Sequence, residues 1–199
     1  YYIVLNEGGG QTPTSVDSTL TAYKGWNLKN TITDQNNIGI WFSFPENQIS
    51  SISGFRQILS VLKTATNSVE NPNGTVSYFD FGNVIVFIPS GLGYFNAIRP
   101  NIESYKPIAF QIKLFVLKER DHDGDGVLSK YEDRNGNNDY FDDDTDGDKI
   151  PDFLDRDDDG DSILTKNELT YDTNGNAIYP FDDCDNDGIP NYLDTDPCP

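Results

Sequence analysis

The sequence predicts an α+β domain over residues 1–118, followed by an irregular array of repeated acidic loops over residues 119–199. Three observations lead to this prediction. Apolar side chains alternate along several segments of the first region, and one segment there has the three- and four-residue spacing of a helix. In the second region, acidic side chains recur at every second position, in a pattern that repeats about every twelve residues.

The charge distribution places the boundary between the two regions. The 199-residue chain has a formal net charge of -19, yet residues 1–118 hold 7 acidic and 8 basic residues, against 26 and 6 in residues 119–199. Gly, Asn and apolar residues separate these acids at repeated offsets, which favours cation binding over the alternative of a solvated acidic tail. A region with this charge repels phosphate, so we expect no nucleic-acid partner.

Five segments of the first region are predicted strands, because β-branched and aromatic residues alternate there as in a sheet with one buried face. They are residues 1–5, 16–26, 38–44, 77–88 with an interruption at Gly82, and 108–117.

Residues 54–65 are predicted to form a helix. Phe55, Ile58, Leu59 and Leu62 recur there at the spacing of one helix face. The segment that follows, residues 67–74, has the composition of a loop. One helix against five mostly antiparallel strands gives an α+β domain in which the sheet covers the helix.

Five motifs of the first region resemble, in the same order, motifs of FKBP-type peptidyl-prolyl isomerases. They are "YKGW" (23–26) with Asp34 after it, "WFSF" (41–44), "ISGF" (52–55), "IPSGLGY" (88–94) and "IESYKPIAFQIKLFVL" (102–117). The resemblance covers residues 1–118 and implies an antiparallel half-barrel sheet that wraps one helix. It also implies peptidyl-prolyl isomerase activity, with a substrate pocket formed by Tyr23, Asp34, Phe42, Ile52, Phe55, Tyr94, Ile102 and Phe110.

The same resemblance implies a role for several of these residues. Phe55 would form the pocket floor, the Ile52 N–H and the Tyr94 hydroxyl would hold substrate carbonyls, and Asp34, oriented by Tyr23, would polarise the bound amide. Rotation about an X–Pro bond is slow because the amide has partial double-bond character, and its catalysis needs no nucleophile or metal. Taken singly, the aromatic residues could equally be ordinary core residues, and Asp34 a turn residue.

Four positions depart from the family pattern: Thr33, Ser51, Phe95 and Asn101. They stand where the family usually has Phe, an aliphatic residue, Gly and an apolar residue. A smaller and more polar pocket would bind proline less well. The alternative function is therefore a non-catalytic, calcium-dependent binding or adhesion module on a degenerate FKBP-like fold.

Residues 121–132, "DHDGDGVLSKYE", have the pattern of a calcium loop. Calcium takes six to eight oxygen ligands, and short acidic side chains at alternate positions of a tight turn converge on one point. The pattern recurs in three further Asp-rich windows and in two windows that use Asn. The predicted calcium ligands are Asp121, Asp123, Asp125, Glu132, Asp133, Asn135, Asn137, Asp144, Asp146, Asp148, Asp155, Asp157, Asp159, Asp161, Glu168, Asp172, Asn174, Asn176, Asp183, Asp185, Asp187 and Asp194.

Two of these windows, "DTDGDKIPDFLD" (144–155) and "DCDNDGIPNYLD" (183–194), resemble thrombospondin type 3 repeats and related bacterial calcium repeats. The resemblance implies a chain wrapped around several structural calcium ions with little apolar core, so that ligand bonds supply the folding energy. Plain acidic turns remain the alternative for individual windows. His122 occupies a non-ligand position and is predicted to point to solvent.

The remaining expectations concern location and partners. Cys184 and Cys198 could close a short disulfide loop, which indicates an extracytoplasmic compartment; two free thiols are the alternative. No apolar stretch is long enough to span a membrane, and an N-terminal signal or lipid anchor is expected to have been removed. We expect a protein of the bacterial periplasm, outer membrane or cell surface, with proline-containing polypeptides as clients and other envelope proteins as further partners.

Overall fold

The computed structural model describes residues 1–45 and 52–195, so Ser51 and Cys198 lie outside the described residues. The chain divides into two compact units, Tyr1–Lys118 and Glu119–Pro199. None of the helices in the described residues has the length and hydropathy that crossing a bilayer requires.

The first unit is built on one five-stranded sheet. Its strands are β1 (Tyr2–Asn6), β2 (Ser18–Asn27), β3 (Ile32–Ser43), β6 (Gly82–Ile88) and β7 (Ile108–Lys118). Their order is β1-β6-β7-β2-β3, and every pair of neighbours is antiparallel. The central strand β7 alternates as the sequence predicts, and its Ile112 and Leu114 side chains are fully buried.

The α-helix of the described residues, α1 (Ser53–Leu59), buries Phe55, Ile58 and Leu59 against this sheet. It is shorter than the predicted 54–65. Leu62 stays in the core, but its N–H donates to the Leu59 carbonyl three residues back, in the tighter pattern of a terminal turn. The next N–H, that of Lys63, donates to the Glu7 carbonyl at 2.7 Å, so the chain leaves the helix to pair with another segment.

The loop predicted over residues 67–74 is wrong for its first half. Strands β4 (Asn67–Glu70) and β5 (Val76–Phe79) pair as an exposed two-stranded sheet. The turn between them closes through the Asn71 N–H, which donates to the Thr75 carbonyl at 2.7 Å, and through Gly74 at φ +79. The predicted long strand over 77–88 is interrupted at Asp80, with φ 50, two residues before Gly82.

Residues 119–195 of the second unit contain four short 3-10 helices, each at positions nine to eleven of an acidic loop: Ser129–Tyr131, Asp152–Leu154, Thr165–Asn167 and Asn191–Leu193. Aromatic side chains form its small apolar clusters, in which Phe153 is fully buried. The prediction that His122 points to solvent is wrong. Its Nδ1 lies 2.8 Å from the Ser129 hydroxyl oxygen, and its ring packs edge-on against Phe153 at 5.6 Å.

Candidate functional site

Four aromatic rings from four different elements meet in the first unit and form what we call the aromatic cluster: Tyr23 of β2, Phe42 of β3, Phe55 of α1 and Phe110 of β7. Phe55 is central, with ring centroids 5.2 Å from Phe42, 5.7 Å from Tyr23 and 5.8 Å from Phe110. The Tyr23 and Phe110 contacts with Phe55 are edge-to-face, the geometry that aromatic quadrupoles favour. The cluster is therefore a tightly packed apolar surface between helix and sheet.

Gly25 makes room for one of these rings. It lies opposite Phe110 in the β2–β7 register, and a Cβ atom on Gly25 would stand 2.5 Å from Phe110 Cε1. No larger residue fits unless the ring moves. Gly25 belongs to the "YKGW" motif, but sequence reasoning assigned it no role, because a missing side chain shows its purpose only when the cross-strand neighbour is known.

A polar group lies beside the aromatic cluster. The Tyr23 hydroxyl donates to the Asp34 carboxylate at 2.9 Å. Burial, and then this hydrogen bond, raise the pKa of Tyr23 to about 12, so the hydroxyl remains a donor at neutral pH. Burial and then the Asp34 charge also raise the pKa of Tyr94, while Arg99, whose guanidinium carbon lies 5.7 Å from the Tyr94 ring centroid, opposes that shift. The Tyr23 and Tyr94 hydroxyls are therefore both neutral and both close enough to Asp34 to feel its negative charge.

The structure gathers the other predicted pocket residues around the same place. Ile52 is the N-cap of α1, and its carbonyl accepts the Phe55 N–H at 2.9 Å. Ile102 is buried in the core that contains Phe55 and Phe110, and Ile52 and Tyr94 pack against that core as half-buried residues. All eight residues proposed for the pocket therefore belong to this core, pack against it or, as with Asp34, bond to a member.

Two of the positions that depart from the family pattern have left-handed backbone. Phe95 has φ 50, and its exposed ring packs edge-on against Tyr105 at 5.2 Å. Asn101 has φ 63, which Asn tolerates better than most residues, and its carbonyl accepts the Asn27 side-chain N–H at 2.7 Å. Both departures therefore fall in the surface loops around residues 90–105 and leave the four rings in contact. Thr33 lies in β3 and is half-buried.

In the second unit, four loops share one hydrogen-bond frame. In each, the third residue's carboxylate accepts the N–H of the fifth at 2.9–3.1 Å, and the fifth's carboxylate accepts the N–H of the seventh at 2.6–2.8 Å. The fourth and sixth residues have left-handed φ, including Lys149 and Ser162 where no glycine is present. The four loops are 121–132, 144–155, 157–168 and 183–194.

A second contact recurs in the same loops. The N–H of each second residue donates to the side chain of the ninth, as from His122 to Ser129 at 3.3 Å and from Asp158 to Thr165 at 3.2 Å. The other two loops repeat it, with donors at Thr145 and Cys184. The ninth residue begins the 3-10 helix, so the start of each loop is fixed to the helix near its end.

In three loops the first, third and fifth carboxylates converge, with one oxygen of each residue within 4.8 Å of the others. Glu168 faces its loop: burial, then the charges of the three Asp residues, raise the pKa of Glu168 to about 7. The structure does not bring Asp155 or Asp194 into their sets; the Asp155 carboxylate accepts the Arg156 N–H at 2.7 Å. The converging sets are Asp144, Asp146 and Asp148; Asp157, Asp159 and Asp161; and Asp183, Asp185 and Asp187.

The first loop is arranged differently. Asp123, Asp125 and Glu132 converge with Asp158, which belongs to another loop and which spacing did not predict. All four are buried, and burial, followed for three of them by the neighbouring charges, raises the pKa to about 11 for Glu132, about 9 for Asp158, about 8 for Asp123 and about 6 for Asp125. Asp121 is not a member of this set, although it lies close enough to raise the pKa of Asp123 and Asp125; its oxygens accept the N–H groups of the two loop glycines at 2.7 and 3.2 Å.

In the two Asn windows, amide groups bond to acids. The Asn137 side-chain N–H donates to Asp142 at 2.8 Å, and that of Asn135 to Asp143 at 3.1 Å. Asn174 and Asn176 face Asp172, and hydrogen bonds from Asn176 and then Asn174 outweigh desolvation and lower the pKa of that carboxyl. Asp133 accepts the backbone N–H groups of 137 and 138. Calcium binding by these windows stays a prediction.

Comparisons with known proteins give similarities to both parts of the chain. A family model described as "BamM C-terminal" matches residues 122–181. Among solved structures, a peptidyl-prolyl cis-trans isomerase from Pseudomonas syringae pv. tomato is 22% identical with a TM-score of 0.46, and the match covers 59% of this chain and 74% of that one. FkpA from Escherichia coli is 21% identical with a TM-score of 0.45, and the match covers 59% of this chain and 47% of FkpA. No curated protein sequence matches this chain.

Proposed function

We propose that residues 1–118 catalyse the cis–trans isomerisation of X–Pro bonds in polypeptide clients. The observation that carries the proposal is the aromatic cluster with the hydrogen-bonded Tyr23–Asp34 pair beside it. Four of the five motifs that resemble FKBP-type isomerases contribute these same residues, so the sequence resemblance and the geometry favour one site.

The chemistry needs an apolar surface more than a reactive group. Twisting an X–Pro amide removes its resonance and the charge separation that goes with it, so desolvated surroundings favour the twisted state over the planar one. In the proposal, the proline packs against the half-buried rings of Tyr23 and Phe42, which the buried rings of Phe55 and Phe110 support. The Tyr94 hydroxyl and the Ile52 N–H hold the flanking carbonyls, and Asp34 polarises the amide.

The activity is tested with the full chain by NMR exchange spectroscopy on a short Leu–Pro peptide. We expect faster exchange with the wild type, a lower rate with Asp34→Asn, and an unchanged rate with Glu70→Gln, an exposed carboxylate-to-amide control on β4. Exchange at the uncatalysed rate, with a near-ultraviolet circular dichroism spectrum showing packed aromatic rings, would instead support the non-catalytic binding or adhesion module.

We further propose that residues 119–199 form an arm held together by several structural calcium ions. The four loops with one hydrogen-bond frame support this, and so does the ligand chemistry, because the converging groups are carboxylates, which hard cations prefer. Buried carboxylate oxygens in these loops have no hydrogen-bond partner among the described residues. Bound calcium would supply the positive charge that such groups need.

We place the protein outside the cytoplasm, in the bacterial periplasm, outer membrane or cell surface, with exported proline-containing polypeptides as clients. Cys184 is disulfide-bonded, which suits an oxidising compartment. Extracellular calcium near millimolar would fill sites of modest affinity. Cell fractionation with thiol labelling checks this: the native protein should leave the cytoplasmic fraction and resist alkylation until it is reduced.

A further inference from the structure

Asp158 lies in the loop 157–168, but its carboxylate does not converge with the other carboxylates of that loop. Its neighbours Asp157 and Asp159 converge with Asp161, whereas Asp158 joins Asp123, Asp125 and Glu132. The side chain is 1% exposed, so it is buried within the second unit. Its backbone is fixed by the N–H that donates to the Thr165 hydroxyl at 3.2 Å.

The buried oxygens of this group are not satisfied by the protein. One oxygen of Asp123 accepts the Asp125 N–H at 3.1 Å, and one of Asp125 accepts the Val127 N–H at 2.8 Å. Within residues 1–45 and 52–195, six further carboxylate oxygens of the group are buried and find no donor: one each from Asp123 and Asp125, and both from Glu132 and Asp158. A buried carboxylate without a partner is strongly unfavourable, so these side chains need a cation.

The spacing of the oxygens suits a single ion. One oxygen of each of the four residues lies within 4.8 Å of those of the others. Oxygens bound to one calcium at about 2.3–2.6 Å are at most about 5 Å apart, and calcium takes six to eight of them. Magnesium keeps several waters and a tighter octahedron, and softer metals take nitrogen or sulfur ligands, so calcium is the cation that this buried oxygen set favours.

Residues from other parts of the second unit surround the group. Tyr192, from the loop 183–194, is 3% exposed, and burial followed by the charges of Glu132 and Asp158 raises the pKa of Tyr192. The Arg156 guanidinium donates to the Asp123 carbonyl at 2.8 Å. Residues of the first, third and fourth loops thus face one buried position.

We propose that Asp123, Asp125 and Glu132 of the first loop, together with Asp158 of the third, bind one calcium ion, which we call the central site. The inference rests on the proposed calcium-binding function of the arm and adds a ligand from outside the loop that the sequence pattern defines. Asp157 and Asp159 belong to the third loop's own set, and Asp158 between them belongs to the central site. Calcium bound at either site therefore orders the chain segment that supplies ligands to the other.

The test uses the full chain and calcium itself, with the number of bound ions measured by isothermal titration calorimetry. We expect Asp158→Asn and Glu132→Gln each to remove one calcium ion, and the double variant to remove no more than either single variant. Asp187→Asn, in the exposed set of the fourth loop, is the control: its effect should add to that of Asp158→Asn. In chelator, Asp158→Asn should make the arm more resistant to urea, because the buried side chain no longer has to take up a proton or be buried as an unpaired charge; in calcium it should make it less resistant.

Different failures have different readings. If Asp158→Asn binds as many ions as tightly as the wild type while Glu132→Gln loses one, Asp158 is not a ligand and the central site is wrong, although the calcium-bound arm stands. If the wild type binds no calcium, the proposed arm itself fails. Should the variant not fold, anomalous diffraction from wild-type crystals grown in calcium decides: an ion peak in contact with both Asp158 and Glu132 supports the site, and its absence overturns it.

Discussion

The two units of this chain bury different kinds of side chain. The fully buried residues of the first unit include Leu62, Ile112 and Leu114, whereas those of the second include Asp125, Glu132 and Asp158. Burial of apolar surface stabilises by about 25 cal/mol per Å² and needs no bound metal. Buried carboxylates destabilise unless a cation accompanies them. We therefore expect metal removal to lower the stability of residues 119–199 and to leave that of residues 1–118 unchanged.

The largest expected effect is that of calcium removal. Excess chelator should unfold residues 119–199, because without a cation their buried acids must either take up protons or stay buried as unpaired charges, and it should leave 1–118 folded. Hydrogen exchange followed by mass spectrometry reads both halves of the chain in one experiment. Calcium added back should restore protection, and magnesium at equal ionic strength serves as the control. Equal loss of protection in both halves would contradict the comparison.

Truncating a core side chain of the first unit should instead destabilise residues 1–118 and leave residues 119–199 unaffected. Leu114 is 0% exposed, and Leu114→Ala should lower the free energy of unfolding of that unit by about 2–5 kcal/mol through lost burial and a cavity. Urea denaturation measures it, and the number of bound calcium ions should not change. Leu28→Ala, at a side chain 71% exposed, is the matched control with little expected effect.

Gly25→Ala examines how closely the aromatic cluster is packed. The added methyl group would meet the Phe110 ring, so the ring must move, at a cost of about 1–3 kcal/mol in the free energy of unfolding. Proline isomerisation should slow as well. Gly91→Ala is the control, since a Cβ there meets nothing within 4 Å. Wild-type rates in Gly25→Ala would show that the ring position does not matter for catalysis.

The smallest expected effect concerns Tyr23→Phe, which removes the hydroxyl that donates to Asp34. The free energy of unfolding should fall by about 1 kcal/mol, measured in urea at neutral pH. The pKa of Tyr23 is raised to about 12 in the folded chain, so its stabilising contribution is present below pH 10 and is lost as the pH rises through 12. Between pH 10 and pH 12, the free energy of unfolding should therefore fall more for the wild type than for Tyr23→Phe. Tyr2→Phe, at an exposed ring, should behave as wild type throughout.

The sequence predicted what local patterns determine. Alternation located the five strands of the main sheet, although β3 begins at Ile32 rather than at 38 and its Ile38 is exposed. The acid spacing located the four loops, because a tight turn brings alternate side chains to one point. It overestimated the helix, since the pairing of Lys63 with Glu7 ends the helical pattern early. It missed the β4–β5 hairpin, whose exposed strands lack apolar alternation.

Contacts between distant residues were beyond the sequence. The role of Gly25 depends on a ring in β7, and the position of Asp158 depends on a loop that ends at Glu132. Spacing within one loop contains no information on which side chain of another loop will reach it. The eight pocket residues were placed by a family resemblance, and strand register accounts only for those on β2, β3 and β7; the others reach the same core from α1 and from loops.

The hydrogen bond from the second to the ninth residue of each loop has a consequence for how such a chain is assembled. It uses only the backbone N–H of the second residue, so the side chain at that position can differ from loop to loop. In the four loops that side chain is an imidazole edge against Phe153, a hydroxyl that accepts from the Arg134 guanidinium, a buried carboxylate and a disulfide-bonded sulfur. The backbone frame is thus the same in all four loops, while the side chain of the second residue makes a different contact in each. Substitution at that one position would change the neighbour of a duplicated loop without changing its backbone frame.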